Sequence, residues 1–135
     1  MRIILQIAVE GEKQPVFARR IASSQGISEA YVDQILMPLR AGGLLQSRRG
    51  RKGGYQLAMP ASEISVLDVV EMLEGQLSLV ECVEDPAFCD RRPVCVMTKI
   101  WETASESLRS ILRKITLAEL KKQRRASEFR PNYVI

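Results

Sequence analysis

Glycines divide the first 60 residues of the chain into short elements, and this division limits the possible folds more than any other feature. Residues 1–10 carry apolar side chains at helical spacing and are followed by a glycine. Residues 17–25 repeat the pattern and stop at Gly26, and residues 28–41 repeat it again before Gly42. The pattern predicts three short helices, the last two joined by a tight glycine-containing turn.

A glycine-flanked basic hairpin follows these helices. Two strand-like runs, residues 44–49 and 53–58, lie on either side of Gly50-Arg51-Lys52, and Pro60 ends the unit. A helix-turn-helix followed by such a hairpin is the arrangement of a winged helix-turn-helix. In that arrangement the second helix enters the major groove of DNA, and the hairpin, or wing, contacts the backbone or the minor groove. The cations of the wing are Arg48, Arg49, Arg51 and Lys52.

The second half of the chain is predicted to consist of helices around a loop that carries cysteines. Ser65 and Asp68 have the spacing of a capping box, with the shorter Asp in place of Glu, and they start a helix that Gly75 ends. Residues 82–95, called the cysteine loop below, are rich in Pro, Asp and Arg. Residues 96–114 then form a long helix.

The chain as a whole is expected to be mainly α-helical, with a small β-hairpin wing and a long C-terminal dimerisation helix. One or two further helical turns are predicted at 115–120. The charge run that follows, residues 121–135, is expected to be a mobile basic tail. This organisation divides the chain into a winged helix-turn-helix region (1–60), a region with the cysteine loop and the long helix (61–120), and the tail.

Composition agrees with a single folded domain of a nucleic-acid-binding protein. The 135 residues are 46% hydrophobic, and a net charge of +4 with a pI of about 9.2 permits binding to a polyanion. Every apolar run is far shorter than the ~20 residues that span a bilayer. Glu10 and Glu12 stand where a signal peptide would have its cleavage site. The chain is therefore expected in the cytoplasm and not at a membrane.

Several positions on the third predicted helix are candidates for base contact because they face away from its apolar stripe. A glutamine can pair with adenine through two hydrogen bonds, and a carboxylate can accept from cytosine. Tyr31 falls within the apolar stripe by its spacing. The alternative is a helical hairpin with an ordinary solvated charge cluster. The outward positions are Ser28, Glu29, Ala30, Asp33 and Gln34.

Other classes of function find little support in the sequence. The chain contains no histidine. It also has no glycine-rich phosphate loop and no paired nucleophile and base, so it is not expected to be an enzyme. A pure protein-interaction module would leave the cations of the wing without a purpose.

Three cysteines lie close together just before the long helix. Six residues separate Cys82 from Cys89, and five separate Cys89 from Cys95. Thiolates at this spacing can converge on an iron–sulfur cluster, which Arg91 and Arg92 would help to stabilise. Zinc could use the same thiolates with a fourth group, and three unrelated buried cysteines would give the same spacing.

The long helix carries an apolar seam with spacings that alternate between three and four. Its members are Trp101, Ala104, Leu108, Ile111 and Ile115. Such a seam is typical of a coiled-coil dimer. A helix that buries the seam within one monomer would show the same pattern, so both arrangements stay open.

The chain resembles the Rrf2 family of bacterial winged-helix regulators over most of its length. The family includes iron–sulfur regulators, nitric-oxide sensors and repressors of cysteine metabolism. The resemblance is carried by Gly26-Ile27-Ser28, residues 31–36, Leu39-Arg40, Gly43-Leu44, residues 49–57, residues 64–70, Leu73-Glu74-Gly75, the three cysteines, Trp101 and residues 115–120.

The resemblance implies a homodimer whose long helices pair and place two recognition helices on a roughly palindromic operator in double-stranded DNA. Family members often have Ser and Glu where this chain has Ala30 and Asp33, so a different operator sequence is expected. Carried over by position, the DNA contacts are Ser28, Ala30, Tyr31, Asp33, Gln34 and Arg49.

The resemblance also implies a [2Fe–2S] or [4Fe–4S] cluster on the three cysteines, which would sense iron–sulfur status or redox and nitrosative stress. Thr98 stands where iron–sulfur members carry a histidine. Nitric-oxide sensors use an aspartate at the start of the partner subunit's first helix, and Met1 aligns inside that helix. The fourth ligand stays open. Its candidates are Glu10 or Glu12 of the partner subunit, Glu84, Asp85, Asp90, Glu102 and a small exogenous ligand.

The alternative within the family is a regulator of cysteine or sulfur metabolism that holds no cluster. Such relatives respond through a partner protein of cysteine biosynthesis. In that case the cysteines would be incidental or would form a regulatory disulfide.

Overall fold

The computed structural model describes residues 1–50 and 53–128, so Arg51, Lys52 and residues 129–135 lie outside the description. The described chain contains seven helices, one two-stranded hairpin and two short 3-10 turns. No helix in these ranges is both long and apolar enough to cross a membrane. The elements are α1 (Arg2–Glu10), α2 (Ala18–Gln25), α3 (Glu29–Ala41), β1 (Leu45–Arg48), β2 (Gly54–Leu57), a 3-10 turn (Ala61–Glu63), α4 (Val66–Glu74), α5 (Glu81–Glu84), a second 3-10 turn (Arg92–Val94), α6 (Thr98–Lys114) and α7 (Leu117–Glu128).

Two helices begin at the predicted caps. Ser28 precedes α3, and its hydroxyl accepts a hydrogen bond from the Tyr31 amide at 3.2 Å. Ser65 precedes α4 and accepts from the Asp68 amide at 3.1 Å, while the Asp68 carboxylate accepts from the Ser65 amide at 2.8 Å. These bonds satisfy amides that a helix leaves unpaired at its N-terminus.

The wing is an antiparallel hairpin that is anchored to the chain before α2. Strands β1 and β2 pair from Leu45 opposite Leu57 to Arg48 opposite Gly54. Val16 and Tyr55 exchange two backbone hydrogen bonds of 2.8 Å, which dock β2 beside the start of α2. The predicted fold class, a mainly helical chain with a β-hairpin wing, is confirmed.

One apolar core joins the helix-turn-helix to the second half of the chain. It includes residues from five separate helices and from the segment before α4 that are at most 1% exposed. Such close burial makes the first half rigid, because a packed interior has few alternative arrangements. The largest fully buried apolar side chains are Ile4, Ile7, Ile21, Val32, Leu36, Leu39, Ile64, Val69 and Leu117.

The C-terminal helix is longer than the sequence pattern predicted. Residues 121–128 continue α7 and are not a mobile tail, so the expectation for this part of the tail was wrong. Leu117 is fully buried, and α7 packs against α1. Glu12 accepts hydrogen bonds from Lys121 and, at 2.8 Å, from Arg125. These contacts are distant in sequence, which explains why local periodicity did not reveal them. The division of the chain at residues 60 and 120 stays a prediction.

Helix α6 lies against α4 and α5 and anchors the segment that contains the cysteine loop. The buried Ser105 hydroxyl accepts a hydrogen bond from the Leu79 amide at 3.0 Å. Arg109 forms an ion pair with Glu71 of α4, with Nε 3.5 Å from the carboxylate oxygen. The loop is therefore tied to the same helix that carries the predicted dimer seam.

Candidate nucleic-acid interface and cysteine loop

The candidate base-reading positions are all exposed on α3. Ala30, Asp33 and Gln34 lie on its solvent face, and Ser28 caps its N-terminus. Tyr31 is 53% exposed, so its assignment to the apolar stripe was wrong. Its side chain is accessible, as a DNA contact requires. The buried side of α3 is formed by Val32, Leu36 and Leu39.

A groove separates α3 from the wing. We call it the recognition groove. Glu29 and Asp33 are its acidic lining residues. Among the described residues that line it, the cations outnumber these acids. The excess positive charge suits a polyanionic ligand. The cationic lining residues are Arg19, Arg40, Arg48 and Arg49.

Some residues of this groove were missed by the sequence analysis. Arg40 lies two helical turns beyond Asp33 and donates a hydrogen bond to the Ser47 hydroxyl of the wing at 3.4 Å. Tyr55 also lines the groove, and its pKa is raised by partial burial and by the nearby Asp33 carboxylate. The seven-residue spacing of Asp33 and Arg40 on one helix was a signal that could have placed them on the same face.

The three cysteines lie in one exposed segment but are not gathered into a metal site. Cys82 and Cys89 are half-buried and Cys95 is exposed. Hydrogen bonds from the Met97 amide and the Thr98 hydroxyl lower the pKa of the Cys95 thiol. Within residues 1–50 and 53–128, no group of three or more thiol, carboxylate or imidazole side chains has the geometry to hold a metal ion.

A small cavity beside α6 brings Cys89 together with two of the candidate acidic ligands. It is lined by Cys89, Asp90, Arg92 and Glu102, among others. Arg92 Nη2 lies 2.7 Å from a Glu102 carboxylate oxygen, whereas the buried Arg92 Nε has no hydrogen-bond partner. The lining of the cavity therefore includes a thiol, two carboxylates and a guanidinium group.

The remaining acidic candidates have other surroundings within the chain. Glu84 accepts a hydrogen bond from the Ser78 hydroxyl, and Asp85 accepts from the Ala87 amide. Glu12 forms ion pairs with two cations of α7, Lys121 and Arg125.

The predicted dimer seam on α6 is divided between two environments. Trp101, Ala104, Leu108 and Ile115 are half-buried within the chain. Ile111, at 59%, is largely exposed. Ile100, which the sequence analysis did not include, is adjacent to Trp101 and 54% exposed. The helix therefore uses one side of its apolar stripe internally and leaves the other side accessible.

The helix-turn-helix, the docked wing and the long helix after the wing define the class of protein, a winged-helix transcriptional regulator. The sequence pattern of the Rrf2 family, described as an iron-dependent transcriptional regulator, matches residues 1–123. The chain belongs to this family, and it is a regulator and not an enzyme. The relative named protein rrf2 from Nitratidesulfovibrio vulgaris is 42% identical, and the match covers 88% of this chain and 79% of that protein.

Solved structures of two regulators share the fold. The structure of T. potens IscR superposes with a TM-score of 0.76 at 32% identity, covering 97% of this chain and 86% of its own. The structure of CymR, the global cysteine regulator of B. subtilis, superposes with a TM-score of 0.68 at 30% identity, covering 90% and 88%.

Proposed function

We propose that this regulator binds a specific operator in double-stranded DNA with α3 and the wing. The observation that carries the proposal is the recognition groove, which sets the exposed face of α3 opposite the arginines of the wing. The major groove of B-DNA admits a helix, and its base edges offer hydrogen-bonding groups. Gln34 is suited to read a base there, while Arg48 and Arg49 contact phosphates. Arg51 and Lys52 add charge to the same hairpin by their sequence position.

We propose that the regulator acts as a homodimer through α6. Ile111 of the seam and the exposed Ile100, which lies about three helical turns earlier on α6, would be covered by the same helix of a second copy. A two-fold arrangement of this kind places two α3 helices on successive major grooves. The operator is then expected to be roughly palindromic.

We propose that the cysteine loop senses the signal by holding an iron–sulfur cluster on Cys82, Cys89 and Cys95. The donor chemistry fits, because three thiols occur within one 14-residue segment and the buried Arg92 Nε–H has no partner. When bound, a cluster supplies a centre that oxidants and nitric oxide can alter. Since the three thiols are not gathered in the described loop, binding would require the loop to rearrange.

A rearrangement of the cysteine loop could be transmitted to the DNA-binding half through helices that pack against each other. The ion pair of Arg92 and Glu102 ties the loop to α6, and α6 packs against α4. Helix α4 meets the end of α3 where Met72 lies against Gly42, so closely that a Cβ at Gly42 would be 2.0 Å from the Met72 sulfur. A change in the loop would thereby shift how the DNA-binding half, moving as one body, is placed relative to α6, and so change the affinity for DNA.

The proposal is tested by two measurements on protein purified without oxygen. Selection from a pool of random duplexes is expected to enrich a palindromic sequence, and iron and sulfide analysis is expected to find a cluster. Cys89→Ala should lose the iron, whereas the adjacent Phe88→Ala should keep it, because Phe88 is exposed and offers no ligand. Failure to enrich any sequence would contradict DNA binding. Equal iron in both variants would contradict the cluster assignment.

A second candidate is a thiol switch without a cluster. It is favoured by the exposure of Cys95, which leaves its sulfur open to an oxidant. In such a switch hydrogen peroxide takes two protons and two electrons from two thiols, giving one disulfide and two water molecules. A partner protein of cysteine metabolism could act on the same loop. Iron-free protein whose operator affinity changes with peroxide or with such a partner would support this candidate and leave the DNA-binding proposal unchanged.

A further inference from the structure

The wing has a groove on each of its two faces. Successive side chains of a strand point to opposite faces, and the register pairs Ser47 with Tyr55 and leaves Gln56 on the other side. Ser47 and Tyr55 face the recognition groove. Gln56 lines a second groove, which we call the flank groove, between the wing and residues 11–15. Arg48 lines both grooves.

The flank groove is cationic. Lys13 comes from the turn between α1 and α2, Arg48 comes from the wing, and Lys121 comes from α7. Among the described residues that line this groove, Glu12 is the one acid. Three elements that are far apart in sequence therefore place positive charge around one depression, beside a hairpin that already carries arginines.

Glu12 fixes the position of α7 at the edge of this groove. One carboxylate oxygen accepts from Lys121, and the other accepts from Arg125 Nη2 at 2.8 Å. Two cations on one carboxylate leave a positive charge, so the cluster retains an attraction for anions. Because Leu117 of the same helix is fully buried, Lys121 is presented by a well-anchored element.

We propose that the flank groove binds the sugar–phosphate backbone of duplex DNA on the side of the wing away from α3. This inference rests on the proposed binding of an operator. A β-ribbon in the minor groove, which is about 6 Å wide, lies between two phosphate backbones. The recognition groove faces one backbone, and the flank groove faces the other. A phosphate in the flank groove competes with Glu12 for Lys121, the cation of α7 that lines this groove.

The first test is the salt dependence of operator binding by the full-length dimer. Each phosphate contact contributes a slope of roughly −0.9 to a plot of log K against log salt concentration. Lys13→Gln and Lys121→Gln should each flatten the slope by about one per protomer and should leave the preferred sequence unchanged. The matched control is Lys122→Gln, which removes an exposed charge from the next position of α7 and should leave the slope unchanged.

The second test uses Glu12→Gln, for which the two possible roles of Glu12 predict opposite signs. If Glu12 competes with phosphate, its neutralisation strengthens operator binding at low salt, and the gain disappears at high salt. If Glu12 only holds α7 in place, its neutralisation weakens binding.

The outcomes separate this inference from the proposed function. Normal operator binding with equal slopes for Lys13→Gln, Lys121→Gln and Lys122→Gln would overturn the flank groove as a DNA site and leave the operator proposal standing. If the folded Glu12→Gln variant binds the operator more weakly than the wild type, Glu12 does not compete with a DNA phosphate. A wild-type protein that binds no operator would instead contradict the proposed function.

Discussion

The helix-turn-helix half and the segment around the cysteine loop differ most in how far their side chains are buried. In the first half, Ile21, Val32 and Leu36 are completely buried. In residues 75–97, all of which the structure describes, no residue is buried. A packed core opens only with most of the free energy of global unfolding, whereas a segment with few buried contacts opens at little cost.

This difference suits the different tasks that we propose for the two regions. DNA recognition needs side chains held in a fixed arrangement, which the core beneath α3 provides. A sensor needs a segment that can change its arrangement when a ligand or an oxidant acts on it, which an unburied loop allows. Among the contacts that attach residues 75–97 to α6 are the ion pair of Arg92 and Glu102 and the hydrogen bond from the Leu79 amide to the Ser105 hydroxyl.

The largest expected effect comes from opening the core beneath α3. Leu36→Ala should lower the free energy of unfolding by about 3 kcal/mol, because it removes a fully buried side chain and leaves a cavity. Phe88→Ala in the cysteine loop should change it by less than about 0.5 kcal/mol, since Phe88 is exposed. Urea unfolding of the iron-free protein measures both. Similar losses in the two variants would contradict the distinction between the regions.

The wing provides the next test, through two glycines with positive φ. Gly54 has φ +120°, and a Cβ there would lie 2.6 Å from the Val16 carbonyl oxygen, so Gly54→Ala combines strain with a clash. Gly50 has φ +100° but open space around it, so Gly50→Ala carries strain alone. We expect Gly54→Ala to cost about 1–3 kcal/mol and to weaken operator binding, and Gly50→Ala to cost less. Thermal melting and DNA titration check that Gly54→Ala has the larger effect of the two. A larger effect of Gly50→Ala would show that the wing is not docked through Val16.

The junction between the regions is tested at the capping box of α4. Ser65→Ala should lower stability by about 1 kcal/mol because the Asp68 amide loses its acceptor. The exposed Ser62→Ala serves as the control and should have little effect. Equal melting temperatures for the two variants would contradict the role of this cap.

The smallest effect concerns the pH dependence of the contact between α7 and Glu12. Hydrogen bonds from Lys121 and Arg125 lower the pKa of Glu12 below its ordinary value. Its contribution to stability is present above the unfolded-state pKa of about 4.3 and is lost as the pH falls through the lower folded-state value. An NMR titration should find the Glu12 midpoint below this ordinary value, and Lys121→Gln should raise it. A midpoint at or above the ordinary value would show that the contact is absent in solution.

The features that could be predicted from the sequence are those with a local signal. The hydroxyl of Ser28, the spacing of Ser65 and Asp68, and the glycines of the wing act within a few residues, and the structure has the helices and the hairpin that they indicate. The family resemblance added the expected homodimer, the DNA contacts carried over by position and the cluster on the three cysteines.

The features that could not be predicted depend on distant parts of the chain. The bonds of Lys121 and Arg125 to Glu12 join residues 109 and 113 positions apart, so the charge run at 121–128 gave no sign of a docked helix. Spacing alone placed Tyr31 in the apolar stripe, because periodicity does not show how wide the buried face is. The arrangement of the cysteines is set by irregular backbone, for which the sequence offers no period.

The most direct test of the central claim compares the cluster-loaded and cluster-free forms of one protein on one operator. Affinity for the same duplex would be measured without oxygen at fixed salt, with Cys89→Ala as a form that cannot load the cluster. We expect that loading changes the affinity of the wild type by roughly 5- to 150-fold, the range of typical coupling between two sites, and that Cys89→Ala does not respond. Equal affinity of the loaded and cluster-free wild type would contradict the assignment of the cysteine loop as the sensor.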